Sequence, residues 1–307
     1  MTKVILDKRN LSLDYATDCM IVRADNQPPR TLPLSRIEQL ICMHSVQLTT
    51  QLIGQLHKRG IDLIVMNQRY ADHSFAIFAD QKNQVERRCR QYAWQLHEQG
   101  RLPFAKHLCD HKFTILKRAL NTVEGTAQTQ QKIAQIQMQL IQCEQEQTLR
   151  GIEGSIQRIA FEQWRHLLPS QLGFTKRERR PPKDPVNAIL SLTYTLIHHE
   201  AVRQAHKYAL DPQLGFYHRV AFGRQSLACD LMEPVRPRAE LWITQLFVSG
   251  LLNLRHFSQT DGRCLLGKAG RELFYAAYDE QLNDWKRVLE AGARWTAHRL
   301  DSASPLA

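Results

Sequence analysis

The stretch GFYHRVAFGRQSLACDLMEPVRP, residues 215–237, brings an imidazole and two carboxylates into one short passage. Asp230 and Glu233 are three residues apart, and on a helix this spacing puts both side chains on one face, with their Cβ atoms about 5–6 Å apart. Two like charges this close repel each other unless a cation lies between them. With His218 as a further donor, the stretch predicts a metal site that needs another ligand from elsewhere in the chain.

The composition of the whole chain points to an anionic partner. The chain has 307 residues, which is about twice a typical domain, so we expect two domains. Lys and Arg number 41 against 30 Asp and Glu, and the net charge of +11 suits nucleic acid or a membrane surface. Asp7 and Asp14 interrupt the N-terminal segment where a secretory signal needs an apolar run, and no segment has 18 consecutive apolar residues. We therefore expect a cytoplasmic protein with no membrane contact.

The cysteines exclude two common kinds of small domain. The seven cysteines are scattered, odd in number and never form a C-x-x-C pair. Such spacing indicates neither a zinc cage nor a disulfide framework. We interpret them as reduced core residues.

The character of the sequence changes near Gln81. Before it, β-branched or aromatic runs predict strands, residues 24–30 predict a turn, and residues 35–60 look partly helical. The predicted strands are residues 3–6, 11–15, 19–23, 61–66 and 75–78. After Gln81, apolar residues recur at helical spacing almost to the end. The predicted fold class is α+β, with a small N-terminal β-sheet domain (1–80) followed by a larger all-α C-terminal domain (81–307).

One irregular stretch, residues 168–185, interrupts the helical half. Pro181, Pro182 and Pro185 forbid a continuous helix there. Five of the eight residues from 176 to 183 are basic, namely Lys176, Arg177, Arg179, Arg180 and Lys183. Two interpretations stay open, a phosphate-binding loop and a solvated basic linker.

A third carboxylate is available in GIEGSIQRIAFEQW, residues 151–164, where Glu153 lies between two glycines. Glycine lets the backbone approach its neighbours closely, which favours a buried position for this carboxylate. Each residue alone also has a simpler interpretation. Glu153 suits the first turn of a helix, Asp230 and Glu233 suit a solvated pair, and His218 suits a hydrogen-bonded core histidine.

Other catalytic motifs are incomplete or missing. His198, His199 and Glu200 resemble the H-E-x-x-H pattern of zinc proteases, but Arg203 stands where the second histidine is required. The sequence contains no G-x-x-x-x-G-K-[ST], no G-x-G-x-x-G and no G-x-S-x-G motif. No helix-turn-helix stands out either.

Four motifs in a fixed order resemble one family, the CRISPR-associated adaptation integrases, often called the Cas-one endonuclease family. The motifs follow a strand-rich N-terminal part and are GIEG (151–154), RRPPKDPVNAILSLTYTLI (179–197), GFYH (215–218) and SLACDLMEPVRP (226–237). The resemblance covers nearly the whole chain. It implies a β-sheet N-terminal domain and a helical C-terminal domain that binds a divalent metal.

The resemblance also implies a ligand set. Matched motif by motif, the metal ligands are Glu153, His218 and Glu233, with Asp230 as a supporting or alternative ligand, and all four count as catalytic. One imidazole with two carboxylates suits Mg²⁺ or Mn²⁺, because hard oxygen donors dominate. Cys229 and the pair Pro234–Val235 depart from the usual family pattern, and the second departure puts substrate preference in more doubt than metal binding.

Function and partners follow from the same resemblance. It implies insertion of spacer DNA into a CRISPR array by attack of a DNA 3′-OH, with double-stranded DNA as substrate. It further implies a homodimer formed through the N-terminal domain and a small ferredoxin-like partner protein. The predicted substrate-binding residues are Asn187, Tyr194, Lys176, Arg177, Arg179, Arg180 and Lys183. The alternatives are a non-catalytic nucleic-acid-binding protein whose acidic cluster is structural, and a hydrolase of small phosphoesters.

Overall fold

The computed structural model describes residues 2–66, 74–78, 84–178 and 181–302. The chain divides into two compact units, Met1–Asn83 and Gln84–Ala307. The domain boundary predicted at residue 80 lies outside the described residues. The dimerisation role expected of the first unit stays a prediction.

The N-terminal unit contains two four-stranded sheets with the strand orders β1-β5-β7-β8 and β4-β3-β2-β6. A shared core of Leu13, Met20, Leu40, Leu52 and Leu63 supports them. The elements are β1 (Thr2–Leu6), β2 (Leu11–Ala16), β3 (Cys19–Ala24), β4 (Gln27–Pro33), β5 (Ile37–Cys42), β6 (Val46–Leu48), α1 (Thr50–Lys58), β7 (Asp62–Val65) and β8 (Phe75–Ile77). The five strands predicted from sequence are therefore confirmed.

The prediction that residues 35–60 are partly helical is confirmed. Thr50–Lys58 form α1 and Leu34–Arg36 form a short 3-10 helix, whereas Ile37–Cys42 form β5, which pairs in parallel with both β1 and β7. This strand was missed because Glu38 and Gln39 interrupt its apolar run, which leaves no clear period of two.

The turn predicted at 24–30 is shorter, since β4 begins at Gln27. This strand tolerates Pro28 and Pro29 because it pairs only with β3, through an irregular register.

The C-terminal unit is helical apart from one hairpin in its described part. The helices are α2 (Val85–Leu96), α3 (Glu98–Leu120), α4 (Ala127–Met138), α5 (Glu146–Leu167), α6 (Pro185–Lys207), α7 (Ser226–Met232), α8 (Arg236–Val248) and α9 (Lys268–Ser302). The hairpin, β9 (Phe257–Thr260) with β10 (Arg263–Leu266), was not predicted from sequence. The α+β fold class, with a β-sheet part before a larger helical part, is confirmed. None of the described helices is both long and apolar enough to cross a membrane.

Two features of the C-terminal unit position the site. Phe113 and Leu116 of α3 pack in one buried cluster with Ile156 and Trp164 of α5, so these helices are held side by side. Helix α6 begins as its sequence predicts, with Asp184 as the N-cap that accepts a hydrogen bond from the Asn187 backbone N–H and with a proline in the first turn.

The apolar stripe of α2 faces solvent rather than the core. Val85, Tyr92 and Leu96 are exposed, whereas Gln91 is fully buried. The Gln91 amide donates hydrogen bonds to the carbonyl groups of Asp211 and Leu214 and accepts one from the Asp211 N–H. The three hydrogen bonds of the buried Gln91 amide thus anchor α2. The spacing of the apolar residues in this helix favours packing of the apolar stripe instead.

Gly215 lies at a close approach of two backbone segments. A Cβ at this position would be 2.7 Å from the carbonyl oxygen of His218 and 2.7 Å from the carbonyl carbon of Ser226. We expect Gly215→Ala to lower the free energy of unfolding by about 1–3 kcal/mol, because the backbone must shift to accept the methyl group. Urea unfolding followed by circular dichroism measures the change.

Gly151→Ala in α5 is the matched control. A Cβ on Gly151 would meet nothing within 4 Å. Since alanine favours helix over glycine by about 0.5–1 kcal/mol, this variant should be more stable than the parent. Equal effects of the two substitutions would contradict the packing described around Gly215.

Candidate active site

Three segments of the C-terminal unit supply the predicted site. Helix α5 carries Glu153 beside the buried Ile152 and Ile156. His218 lies in the loop between α6 and α7. Asp230 lies in α7, and Glu233 caps its C-terminus with helical backbone angles. Asp230 and Glu233 are buried and Glu153 and His218 are partly exposed, so the site opens to solvent on one side.

Lys112 joins the two glutamates that are distant in sequence. Its Nζ lies 2.5 Å from Glu153 Oε1 and 2.7 Å from Glu233 Oε2. The Lys112 side chain is only 2% exposed. Both carboxylates therefore aim at one point, and a positive charge lies there.

Asp230 fixes the loop that carries His218. Its Oδ2 accepts hydrogen bonds from the backbone N–H groups of Phe216 (2.6 Å) and Tyr217 (3.0 Å). Its Oδ1 lies 2.8 Å from the His218 backbone N and 2.7 Å from His218 Nδ1. The other ring nitrogen, Nε2, is thereby turned toward Glu233, 3.8 Å from Oε1. A carboxylate that holds one histidine nitrogen so that the other faces a cation site is the usual support for a metal-binding histidine.

Glu233 is surrounded by positive charge. Arg236 Nε forms an ion pair with Glu233 Oε1 at 2.9 Å, opposite the contact with Lys112. Burial alone would raise the pKa of Glu233, but Arg236, Lys112 and His218 outweigh it and lower the pKa to about 2. Burial would likewise lower the pKa of Lys112, whereas Glu233 and Glu153 raise it above its ordinary value. Glu233 and Lys112 are both charged at neutral pH.

Tyr194 and Glu240 form a second buried group beside this cluster. The Tyr194 hydroxyl donates a hydrogen bond of 2.7 Å to Glu240 Oε1. Gln157 Nε2 and Trp164 Nε1 also donate to Glu240. The Arg236 guanidinium lies 4.8 Å from the centre of the Tyr194 ring, so Arg236 connects this group to Glu233.

Sequence reasoning missed Lys112 and Glu240. Lys112 follows Cys109 by three residues and precedes Leu116 by four, both of them buried, so it lies on the apolar face of α3. Lysine is almost never fully buried without a partner. A lysine on this stripe is the signal that could have identified it.

The residues predicted to bind substrate separate into different roles. Asn187 is fully buried, and its amide holds the basic loop through Glu178 N, Lys176 O and the side chain of Asp184. The Arg177 guanidinium donates to Asn187 Oδ1 and Ser191 Oγ. Asn187 and Arg177 thus shape the loop, and the substrate contact expected of them stays a prediction.

The remaining cations of the basic loop stay candidates for phosphate contact. Lys176 and Lys183 are exposed. Lys183 has a partner, because its Nζ lies 3.7 Å from Glu178 Oε2. Arg179 and Arg180 lie outside the described residues.

The close backbone approach predicted for the two glycines beside Glu153 was wrong. A Cβ on Gly151 or on Gly154 would meet nothing within 4 Å, so neither glycine mediates a close backbone contact. The first-turn interpretation was also wrong, because α5 begins seven residues earlier, at Glu146. The ion pair with Lys112 orients this carboxylate.

The donor set is compatible with a divalent cation. Among the described residues, no three His, Cys, Asp or Glu side chains already form a metal cage. The two glutamates nevertheless converge on a cation, and the anchored imidazole of His218 turns Nε2 toward the other oxygen of Glu233. Two carboxylates with one imidazole suit Mg²⁺ or Mn²⁺. Glu153, Glu233 and His218 would be the ligands, while Asp230 is occupied by its backbone partners.

Asp230→Ala tests the supporting role of this carboxylate. The substitution leaves three N–H groups of residues 216–218 without an acceptor, and each such buried group costs about 1–3 kcal/mol. We expect the metal-free protein to lose at least about 3 kcal/mol of stability in urea unfolding. Asp284→Ala, at an exposed ion pair, should change stability by less than about 0.5 kcal/mol. A metal-free Asp230→Ala protein as stable as its parent would show that Asp230 does not hold the loop.

Comparison with known proteins identifies the family. The sequence profile described as CRISPR associated protein Cas1 matches residues 4–280. CRISPR-associated endonuclease Cas1 1 of Thermodesulfovibrio yellowstonii is 29% identical and covers 98% of this chain and 97% of its own length. A casposase bound to integration product shares the fold (TM-score 0.84, 21% identity, 100% of this chain and 92% of that one). A chain of a Cas6-RT-Cas1–Cas2 complex does so as well (TM-score 0.82, 20% identity, 98% of this chain and 35% of that one). The chain belongs to the Cas1 family of CRISPR-associated proteins.

Proposed function

We propose that this protein is a divalent-metal-dependent DNA endonuclease and integrase that inserts spacer DNA into a CRISPR array. The observation that carries the proposal is the convergence of Glu153 and Glu233 on one cation position, with the imidazole of His218 turned toward Glu233. The Cas1 relative described above is named an endonuclease, and a structural neighbour holds an integration product. Both names agree with phosphodiester chemistry at this cluster.

The protein groups have separate tasks in this chemistry. Glu153, Glu233 and His218 Nε2 would hold Mg²⁺ or Mn²⁺, which would polarise a phosphodiester and lower the pKa of an attacking hydroxyl. Asp230 keeps the Nδ1 proton of His218 in place, so Nε2 presents a lone pair. Arg236 fixes the second oxygen of Glu233.

The reaction proposed is transesterification. The 3′-OH of the incoming fragment forms a new P–O bond while the P–O bond of the target strand breaks, and the released hydroxyl takes up a proton. One phosphodiester replaces another, so no external energy source is needed. With water as the attacking group, the same site would cleave DNA.

The surface around the site suits a nucleic acid. Beyond the basic loop, the segment after His218 exposes Phe222 completely and Val220 by half. Its backbone is anchored by Arg224 and Ser226, both of which donate to the Arg219 carbonyl oxygen. An uncovered aromatic ring on an anchored loop can stack on a base.

Three partners complete the proposal. They are double-stranded DNA, a second copy of the chain and a small ferredoxin-like adaptation protein. The net charge of +11 supports the first. A structural neighbour in a complex that contains Cas2 supports the third. The homodimer is supported by the family resemblance of the N-terminal part.

One observation favours a rival function. Lys112 neutralises part of the acidic cluster, as expected of a non-catalytic nucleic-acid-binding protein with a structural acidic cluster. Such a protein would bind DNA equally well with and without Mn²⁺ and would give no strand-transfer product. A strand-transfer gel with and without EDTA separates the two functions, and the same gel with a small phosphoester tests for a small-molecule hydrolase.

Glu153→Gln, His218→Ala and Glu233→Gln test the catalytic assignment. Each removes one donor from the cation position, so we expect at least about a hundredfold loss of metal-dependent strand transfer. Glutamine keeps the shape of the side chain, so folding and most DNA binding should persist. Glu162→Gln, at an exposed position of α5, is the control and should retain activity. Full activity in all three variants would refute the assignment.

The double substitution Lys176→Ala with Lys183→Ala tests the basic loop. If each lysine neutralises one phosphate, the magnitude of the slope of log affinity against log salt should fall by about 2, with weaker DNA binding at low salt. Fluorescence anisotropy across a salt series measures this slope. Lys132→Ala, an exposed lysine of α4, should leave it nearly unchanged. An unchanged slope in the double variant would favour the solvated-linker interpretation.

A further inference from the structure

The proposed chemistry does not use Lys112. Its side chain is 2% exposed. Among the contacts of the described residues, its ammonium is bound by the carboxylates of Glu153 and Glu233 and by no backbone carbonyl. A buried lysine is tolerated only when such partners offset its desolvation.

The position of this ammonium has a direct chemical meaning. Nζ is 2.5 Å from Glu153 and 2.7 Å from Glu233, so it lies between the two carboxylates that we propose as metal ligands. A divalent ion bound by the same two oxygens would come into contact with Nζ. Two positive centres do not share one pair of oxygens at this separation without strong repulsion.

We propose that the Lys112 ammonium is a built-in counter-ion that holds Glu153 and Glu233 together in the metal-free protein, and that a divalent cation displaces it. This inference rests on the metal dependence in the proposed function. It makes Lys112 a positioning residue that competes with the metal, so it weakens metal binding while it protects the empty site.

A second acid is available to receive the displaced ammonium. Glu240 is buried beside the cluster and accepts hydrogen bonds from neutral donors, namely Tyr194, Gln157 and Trp164. Burial raises the pKa of Glu240, and the charge of Lys112 is the largest influence that opposes this rise. Glu240 is thus a buried acid next to the cluster that holds no cation of its own among the hydrogen bonds of the described residues, and we assign it as the acceptor of the displaced ammonium.

The competition predicts two opposite effects of removing the ammonium. Without the Lys112 ammonium, the metal-free protein keeps Arg236 beside Glu233 but loses the cation between the two carboxylates, so it should unfold at a lower temperature. With Mn²⁺ present, no cation has to be displaced, so Lys112→Met should bind Mn²⁺ at least about tenfold more tightly than the parent. A residue that only stabilised the fold would lower the melting temperature without tightening metal binding.

The test is calorimetric titration of MnCl₂ into the parent protein, Lys112→Met and Lys106→Met, with melting curves in EDTA and in Mn²⁺. Lys106 is the matched control because it lies on the same helix, and its Nζ donates to the carbonyl oxygens of Ile141 and Cys143. Lys106→Met should bind Mn²⁺ as the parent does. Lys112→Gln, which keeps one donor group, serves if the methionine variant is poorly folded in EDTA.

The outcomes separate this inference from the proposed function. Tighter Mn²⁺ binding with a lower melting temperature in EDTA supports the displacement. If the parent binds Mn²⁺ and both Lys112 variants bind it equally or more weakly, this inference alone is overturned. If no variant and no parent protein binds Mn²⁺, the proposed function fails as well. If both Lys112 variants stay unfolded in Mn²⁺, the ammonium is a structural element and the inference is overturned.

Discussion

The carboxylate of Asp230 is the constraint on which the site depends. It satisfies three consecutive backbone N–H groups of residues 216–218 and one imidazole nitrogen. The backbone of this loop does not by itself direct the His218 ring toward Glu233, the residue that follows α7. Asp230 supplies that direction, because it ties the loop to α7, the short helix that leads into Glu233. The tight packing at Gly215 serves the same junction.

Charge compensation is the second constraint. Asp230, Glu233 and Glu240 are buried, and isolated buried carboxylates would be protonated. Backbone dipoles compensate Asp230, Lys112 and Arg236 compensate Glu233, and neutral donors hold Glu240. Removing one member of such a network costs about 3–5 kcal/mol, which favours isosteric substitutions over alanine when activity is to be separated from folding.

Much of this organisation was predictable from sequence because it depends on local patterns. Strands with β-branched runs, a proline-initiated α6 and the i, i+3 relation of Asp230 to Glu233 are short-range features. The choice of Glu233 over Asp230 as the better ligand came from the family resemblance, and the hydrogen bonds of Asp230 now support it. Strand β5, whose apolar run is interrupted by Glu38 and Gln39, and the hairpin after α8 were missed, since neither has a decisive period.

The partners of individual side chains were less predictable. Lys112 and Glu153 are 41 residues apart and meet only because α3 and α5 share a core. The basic loop illustrates the same limit, because its five cations within eight residues look equivalent in sequence, whereas the fold uses Arg177 to close a turn against Asn187. Burial decides which charges face solvent, and burial depends on the tertiary structure.

The metal site is tested most directly by the anomalous diffraction signal of Mn²⁺ in crystals of this protein. We expect one strong peak coordinated by Glu153, Glu233 and His218 Nε2. Asp230 should still be bound to the backbone of residues 216–218, and the Lys112 ammonium should have moved away from the two glutamates. A peak ligated by Asp230, or no peak beside these residues at saturating Mn²⁺, would contradict this expectation.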